Sequence, residues 1–414
     1  MDLDTRRRRT ALFLFFLIPG LSMSSWVTRT PDVRDQLGAS TAQMGLVLFG
    51  LSVGSMIGIL CSGTLVGRFG SRPVMGVATV LITFSMAVIG LGAMASSAPL
   101  VTTGLLLFGA GMGGGEVAIN IDGAEVERIT ARTILPTLHG FFSLGTVVGA
   151  AVGILCTAVD FPVQWHLIAV AAVTTAMFGY AIRAVPNGVG KVSGGAKVAG
   201  AEQGASKAKV WRDRQLLLLG GIILAMALAE GAANDWLPLL MVDGHDMDPA
   251  LGSAVYTGFA AAMTIGRFVG GYFIGRLGRK PVVRASAVSA TVGIALVVFS
   301  DSAALASAAV LFWGLGASLG FPVALSAAGD SGENPAARVS LVAMLGYVAF
   351  LVGPPCLGFL GDHYGLRTAM VVVLAFTTLA VFLAPAVGSR SSATVASQPD
   401  GELTRERPSP EHCE

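Results

Sequence analysis

Apolar residues fall in long runs along this chain, with Gly, Ser and Thr inside the runs and most charges in the gaps between them. Twelve runs come near the roughly 20 residues a helix needs to cross a hydrocarbon core. They span about 10–28, 42–66, 73–95, 99–122, 136–158, 165–185, 215–240, 251–275, 281–300, 303–327, 339–361 and 367–386. Each is expected to be a transmembrane helix. Composition agrees: 53% of residues are hydrophobic and 13% charged, and the mean hydropathy is +0.72. A soluble domain carries about 25% charged residues. So few charges cannot coat a soluble chain of 414 residues, so the apolar side chains must face lipid.

One stretch occurs twice. Gly63-Thr-Leu-Val-Gly67-Arg68-Phe-Gly70-Ser-Arg72-Pro73-Val74 recurs as Gly271-Tyr-Phe-Ile-Gly275-Arg276-Leu-Gly278-Arg279-Lys280-Pro281-Val282, each between two apolar runs. Upstream, Gly50 matches Gly258 and Gly58 matches Gly266. Two copies of a membrane-embedded unit predict an all-α membrane protein of two six-helix bundles related by a pseudo-two-fold axis. Folds of that kind place a substrate site between the repeats, near the bilayer midplane. The expected division is 1–185 and 215–386 for the bundles. A Gly-, Ala-, Ser- and Lys-rich cytoplasmic linker at 186–214 joins them, and a polar, disordered tail follows at 387–414. Small residues at four-residue spacing, as in Gly50/Gly54/Gly58 and Gly145/Gly149/Gly153, read as faces for close helix packing.

Charge adds topology. With the N-terminus inside, 23 of the 27 Lys and Arg residues fall on the same side as both termini. Only Arg29, Arg34 and Arg367 fall outside, and Arg267 lies within a span. That bias places both termini in the cytoplasm. The Arg6–Arg9 run before Ala11 imitates a secretory signal, but eleven further spans follow and no small-x-small cleavage site is clear, so it reads as the start of a first transmembrane helix. Its position against a span makes it topogenic rather than a nucleic-acid contact. Cys61, Cys156, Cys356 and Cys413 lack metal-ligand spacing, so neither disulfide nor metal is expected. Gly113-Gly-Gly follows no strand and precedes no Lys-Ser/Thr, so it is not a phosphate loop. No ATP motif and no cofactor site is visible, and the chain does not read as an enzyme.

Charges inside the spans are costly, about 2.5–3.5 kcal/mol on insertion scales, so each should face a cavity or a partner. Glu116 lies near the middle of the fourth span with Asn120 one turn on. A carboxyl group held from water there can take up and release protons. Asp122 and Glu125 lie nearer the cytoplasmic end and read as solvated or Arg-paired. The seventh span carries Glu230, Asn234, Asp235 and Trp236, with Gly231 and Pro238 as places where the helix could loosen. An acid, an amide and an indole together suit a polar ligand with one apolar face. Trp236 lies about 200° round from Asn234, so it joins that surface only if the helix breaks. Trp26 occupies the matching place in the first span, as cavity residue or interfacial anchor. His139 opens the fifth span as a proton relay or a helix-end cap. Arg267 is expected in an intrahelical or cross-bundle salt bridge.

The repeated loop resembles the signature of the major facilitator superfamily, Gly-x-x-x-Asp-Arg-x-Gly-Arg-Arg/Lys. Gly63, Arg68, Gly70 and Arg72 match it in the first copy; Gly271, Arg276, Gly278, Arg279 and Lys280 match it in the second. The resemblance covers almost the whole chain. It implies a transporter that works by alternating access. Gly67 and Gly275 stand where the family has its Asp, which there helps latch the bundles together on the cytoplasmic side. That leaves Arg68 and Arg72 to seek other acids, such as Asp330 or Glu333. More locally, Glu116-Val-Ala-Ile-Asn120 with Leu138-His139-Gly-Phe-Phe-Ser143 resembles the fucose permease branch, which implies a proton role for Glu116. Ala229 to His245 and Gly314 to Pro322 resemble the YbjJ-type bacterial inner-membrane proteins, a neighbourhood that includes a rhizopine-type porter.

These readings converge on a multi-pass protein of the bacterial inner membrane. It is expected to be a monomer whose partners are lipid, protons and a small polar, sugar- or polyol-like solute. Efflux of amphipathic drugs by antiport is the alternative. It fits less well, because the Arg early in the fourth span and the Gly-Pro-x-x-Gly-Gly of the fifth are missing. A non-transporting membrane receptor is the third reading.

Overall fold

A computed structural model of the protein describes residues 3–130, 134–191, 213–332 and 335–388. The core of the linker and nearly all of the tail lie outside the described residues, as do Cys413 and Glu333. Thirteen α-helices run through the described part. The first seven are α1 (Leu3–Val27), α2 (Thr30–Leu37), α3 (Thr41–Phe69), α4 (Ser71–Met94), α5 (Ala98–Thr130), α6 (Leu135–Ala158) and α7 (Val163–Ala181). The remaining six are α8 (Arg214–His245), α9 (Pro249–Leu277), α10 (Arg279–Phe299), α11 (Ala303–Asp330), α12 (Pro335–Tyr364) and α13 (Leu366–Leu383).

Helix ends follow local chemistry. Ser40 and Gln43 form a reciprocal capping box at the start of α3. Asp213 accepts from the Gln215 and Leu216 N–H groups at the start of α8. In the repeated motif a single glycine separates two helices: Gly70 between α3 and α4 (φ +91°) and Gly278 between α9 and α10 (φ +82°). With ψ near 167° at both, this is backbone that only glycine adopts without strain. The final glycine of each motif copy is thus fixed by geometry.

Among the described residues eleven helices are long and apolar enough to cross a membrane. Of the twelve expected spans, the one at α9 falls short in hydropathy although it is 29 residues long. It carries Arg267 and Arg276 among glycines and hydroxyls, as a helix bordering a polar cavity must. The short α2 has no counterpart among the expected elements.

The packing partners repeat. In the first half α1 packs on α6 and α7, α3 on α5, and α4 on α5 and α7. In the second half α8 packs on α12 and α13, α9 on α11, and α10 on α11 and α13. Element for element these are the same pairs. Glycines permit the closest ones: a Cβ on Gly54 or Gly109 would collide with the Leu106 or Leu51 carbonyl, so α3 and α5 touch backbone to backbone. Large apolar side chains such as Phe84, Leu155, Phe299 and Phe382 stay exposed on the outside, as expected of lipid-facing helices.

The halves meet through α3 against α12 and α6 against α9. At the end carrying α2 they are bolted together. Arg34 pairs with Asp243, the Ser253 hydroxyl donates to the Thr28 carbonyl (2.9 Å), and the Ala42 N–H donates to Asp362 (3.3 Å). Gly45 of α3 packs there on Pro354 and Gly358 of α12. At the opposite end, which carries Gly70 and Gly278, the ion pairs among the described residues stay within one half. Arg279 binds Asp330 (2.6 Å) and Arg338 binds Asp213 (2.7 Å), while Arg72 donates to Asn187 (3.1 Å). Asp330 therefore serves Arg279, not Arg68 or Arg72.

Candidate functional site

Two chambers lie between the halves. The larger, about 340 Å³, is lined from the first half by α1, α3, α4, α5 and α6, including Phe16, Thr79, Glu116 and His139. The second half supplies Glu230, Arg267, Phe321, Tyr347 and Phe350. The smaller, about 240 Å³, is lined by Ser52, Ser55, Phe108 and Glu116 on one side and by Gly231, Asn234, Asp235, Tyr347 and Phe350 on the other. Glu116, Ile59, Met112, Tyr347 and Phe350 border both.

Glu116 thus stands where the chambers meet. Three glycines precede it on α5, and two of them, Gly113 and Gly114, lie against α3. They bring the helices close and leave the carboxylate on the open side. Its carboxyl makes no hydrogen bond or ion pair among the described residues, although the charges of Arg267 and Glu230 act on it across the chamber. Arg267 donates to Glu230 at 3.0 Å. Contrary to expectation, that pair is neither intrahelical nor cross-bundle; it joins α8 and α9 within the second half and faces the larger chamber.

The other expected residues divide. Asn234 borders the smaller chamber, and its Oδ1 accepts from the Tyr256 hydroxyl at 3.3 Å. Asp235 borders the same chamber and is 9% exposed. His139 faces the larger chamber with its ring edge-on to Phe16, centroids 4.8 Å apart. Asn120 lines neither chamber. Trp236 does not join the cavity surface, because α8 runs unbroken from Arg214 to His245 through Pro238. Its indole is fully buried, packed near Gly358 at the bolted end. Trp26 is likewise fully buried in the core. The motif residues Gly63, Arg68, Gly70, Arg72, Gly271, Arg276, Gly278 and Lys280 lie at the far end, away from both chambers.

Sequence reasoning missed Tyr347 and Phe350, which border both chambers from α12. They were hidden among ordinary span residues; a lone Tyr in an otherwise apolar run was the available signal. It also missed the partner of Asp122. That carboxylate is fully buried, accepting from Arg8 Nε (2.8 Å) and from the Ser71 hydroxyl (2.7 Å). Among the described residues no group of side chains suits a metal ion.

A helical membrane protein of two like-packed halves, enclosing a charged cavity between them, is built as a transporter rather than an enzyme. The chain belongs to the Major Facilitator Superfamily, whose model matches residues 10–354 and 224–409. It is 30% identical to the uncharacterized transporter y4wD of Sinorhizobium fredii over 374 residues, 89% of this chain and 95% of that one. It is 29% identical to an uncharacterized MFS-type transporter of Yersinia pestis over 372 residues, 89% and 92% of the two chains. Among solved structures, a mutant form of the nucleoside transporter NupG shares the fold with a TM-score of 0.74 at 13% identity, covering 92% of this chain and 99% of that chain. A mutant form of the E. coli fucose:proton symporter FucP does so with a TM-score of 0.61 at 16% identity, covering 92% and 98%.

Proposed function

We propose that this protein is a secondary carrier of a small polar, sugar- or polyol-like solute. It couples solute movement to protons and alternates access by rocking two six-helix bundles. It sits in a bacterial inner membrane as a YbjJ-type member of the family, with twelve spans and both termini in the cytoplasm. The bolted end is then periplasmic, the parted end cytoplasmic, and the described conformation inward-facing. One observation carries the reading. Glu116 of the first bundle has no protein partner among the described residues, stands at the junction of both chambers, and faces the Glu230–Arg267 pair of the second. A carboxyl so placed can exchange its proton with either chamber, and its charge state changes the attraction between the bundles. That FucP, which shares the fold, is a fucose:proton symporter supports the proton.

A thermal-shift screen against sugars, polyols, amino acids and cationic dyes selects a ligand. That ligand is then followed in proteoliposomes under an imposed pH gradient. Glu116→Gln is expected to abolish pH-driven accumulation while leaving solute exchange largely intact. Accumulation that persists in Glu116→Gln vesicles would falsify the assignment and move it to His139 or Glu230. Efflux of amphipathic compounds is the second reading, favoured by Met23, Met56 and Met112 in the wall of the smaller chamber. Stabilisation by the dyes alone would select it.

A further inference from the structure

The smaller chamber gathers two carboxyl groups that no cation of its own wall pairs. Asp235 is nine-tenths buried and borders this chamber. Its carboxyl has no hydrogen-bond or ion-pair partner among the described residues. Glu116 enters the same space from α5, also unpartnered. Arg267 of α9 lines the larger chamber, not this one, and is engaged by Glu230 at 3.0 Å. His139 of α6 faces the larger chamber as well. What α3 and α12 bring to the smaller chamber is neutral: the Ser52, Ser55 and Tyr347 hydroxyls, of which Ser52 already donates to the Phe350 carbonyl at 2.7 Å. The inventory is two carboxyl groups, hydroxyls and one amide, with no cation.

A buried carboxyl without a partner is costly, and buried polar groups are generally satisfied by something. A neutral polyol would offer hydroxyl donors but no charge. An ammonium group offers a full charge and up to three N–H donors, and hydrogen bonds between ionised groups are roughly twice as strong as neutral ones. Asn234, next in the chain, has its carbonyl oxygen held by Tyr256 at 3.3 Å, which leaves its NH₂ group to donate to a hydroxyl of the same solute. The Phe108 and Phe350 rings in the wall add faces that attract a cation.

We propose that the solute carries an ammonium group seated against Asp235 on a hydroxylated body, as in an amino sugar or amino polyol. This rests on the carrier reading above and narrows its substrate class.

Matched pairs test it on the full chain in lipid nanodiscs by titration calorimetry: D-glucosamine against D-glucose and N-acetyl-D-glucosamine, and glucamine against D-sorbitol. The amine of each pair is expected to bind at least tenfold more tightly than its neutral counterparts. Asp235→Asn is expected to erase that preference. The wild-type comparison stands without any variant, so a poorly folding Asp235→Asn does not protect the proposal. Equal affinity for amine and neutral members overturns the ammonium site and leaves the carrier reading intact. A preference that survives Asp235→Asn overturns the role of Asp235. Binding by neither member also overturns the proposal, and the Glu116→Gln accumulation assay then decides separately whether the carrier reading stands.

Discussion

Asp122 and Glu116 lie less than two turns apart on α5 and meet opposite environments. Asp122 is sealed and bound by Arg8 and Ser71; Glu116 opens to both chambers with no partner among the described residues. The sequence set Glu116 near mid-span and Asp122 nearer the cytoplasmic end, solvated or Arg-paired, and Asp122 is indeed paired with an Arg; which Arg it was could not be read there. That depends on which neighbouring helix carries a base at the right height, and that is a tertiary fact. The Arg6–Arg9 run read as one topogenic block, yet of its side chains it is Arg8 that the helical phase of α1 brings to Asp122. Removing one member of a buried ion pair strands the other charge and costs about 3–5 kcal/mol. Arg8→Ala is therefore expected to lower the thermal midpoint sharply. Arg8→Leu combined with Asp122→Leu should recover much of the loss, since no charge is then left unpaired. A double variant no more stable than Arg8→Ala would show that the pair does not act as a unit.

At the scale of elements, the long apolar helices were legible because lipid imposes length and composition directly. The α2 helix was not, because its eight residues are polar and too short for a periodic signal. Only Pro31 at its start and Gly38 at its end, with φ +58°, marked it. Trp236 could reach the cavity only if its helix broke near Gly231 or Pro238; α8 runs unbroken through both. The motif glycines fall into two kinds. Gly70 and Gly278 are required by their backbone angles. Gly63 and Gly271 are not: a Cβ at either meets nothing within 4 Å. If the parted ends close during transport, that empty space is where the facing helices arrive. Gly63→Leu and Gly271→Leu are accordingly expected to leave the stability within about 0.5 kcal/mol, as for unburied substitutions, while reducing transport at least tenfold. Transport at the wild-type rate in both variants would mean that these faces never become covered.

The whole molecule uses the same turn a third time. Gly365 separates α12 from α13 as Gly70 and Gly278 separate their helices, again with positive φ (+81°). The residue three before it is Asp362, whereas the residues three before Gly70 and Gly278 are Gly67 and Gly275. The carboxylate missing from both motif copies is thus present at the opposite end, where it accepts from the Ala42 N–H at the start of α3. A carboxylate at a helix N-terminus satisfies an orphan donor and the helix dipole together. Because Asp362 and α3 belong to different halves, the bond joins them. With the Arg34–Asp243 pair beside it, it weights the molecule toward the conformation described. Replacing a capping carboxylate costs about 0.5–2 kcal/mol, and one or two kcal/mol is a factor of about 5–30 in a two-state ratio. Asp362→Ala is expected to shift the population by that order toward the state open at the α2 end. Gly67→Asp, which restores a latch at the other end, should shift it the same way. Spin-label distances across each end of the molecule, measured in lipid nanodiscs, read both shifts. Distance distributions unchanged in Asp362→Ala would show that its bond to α3 does not hold the halves together.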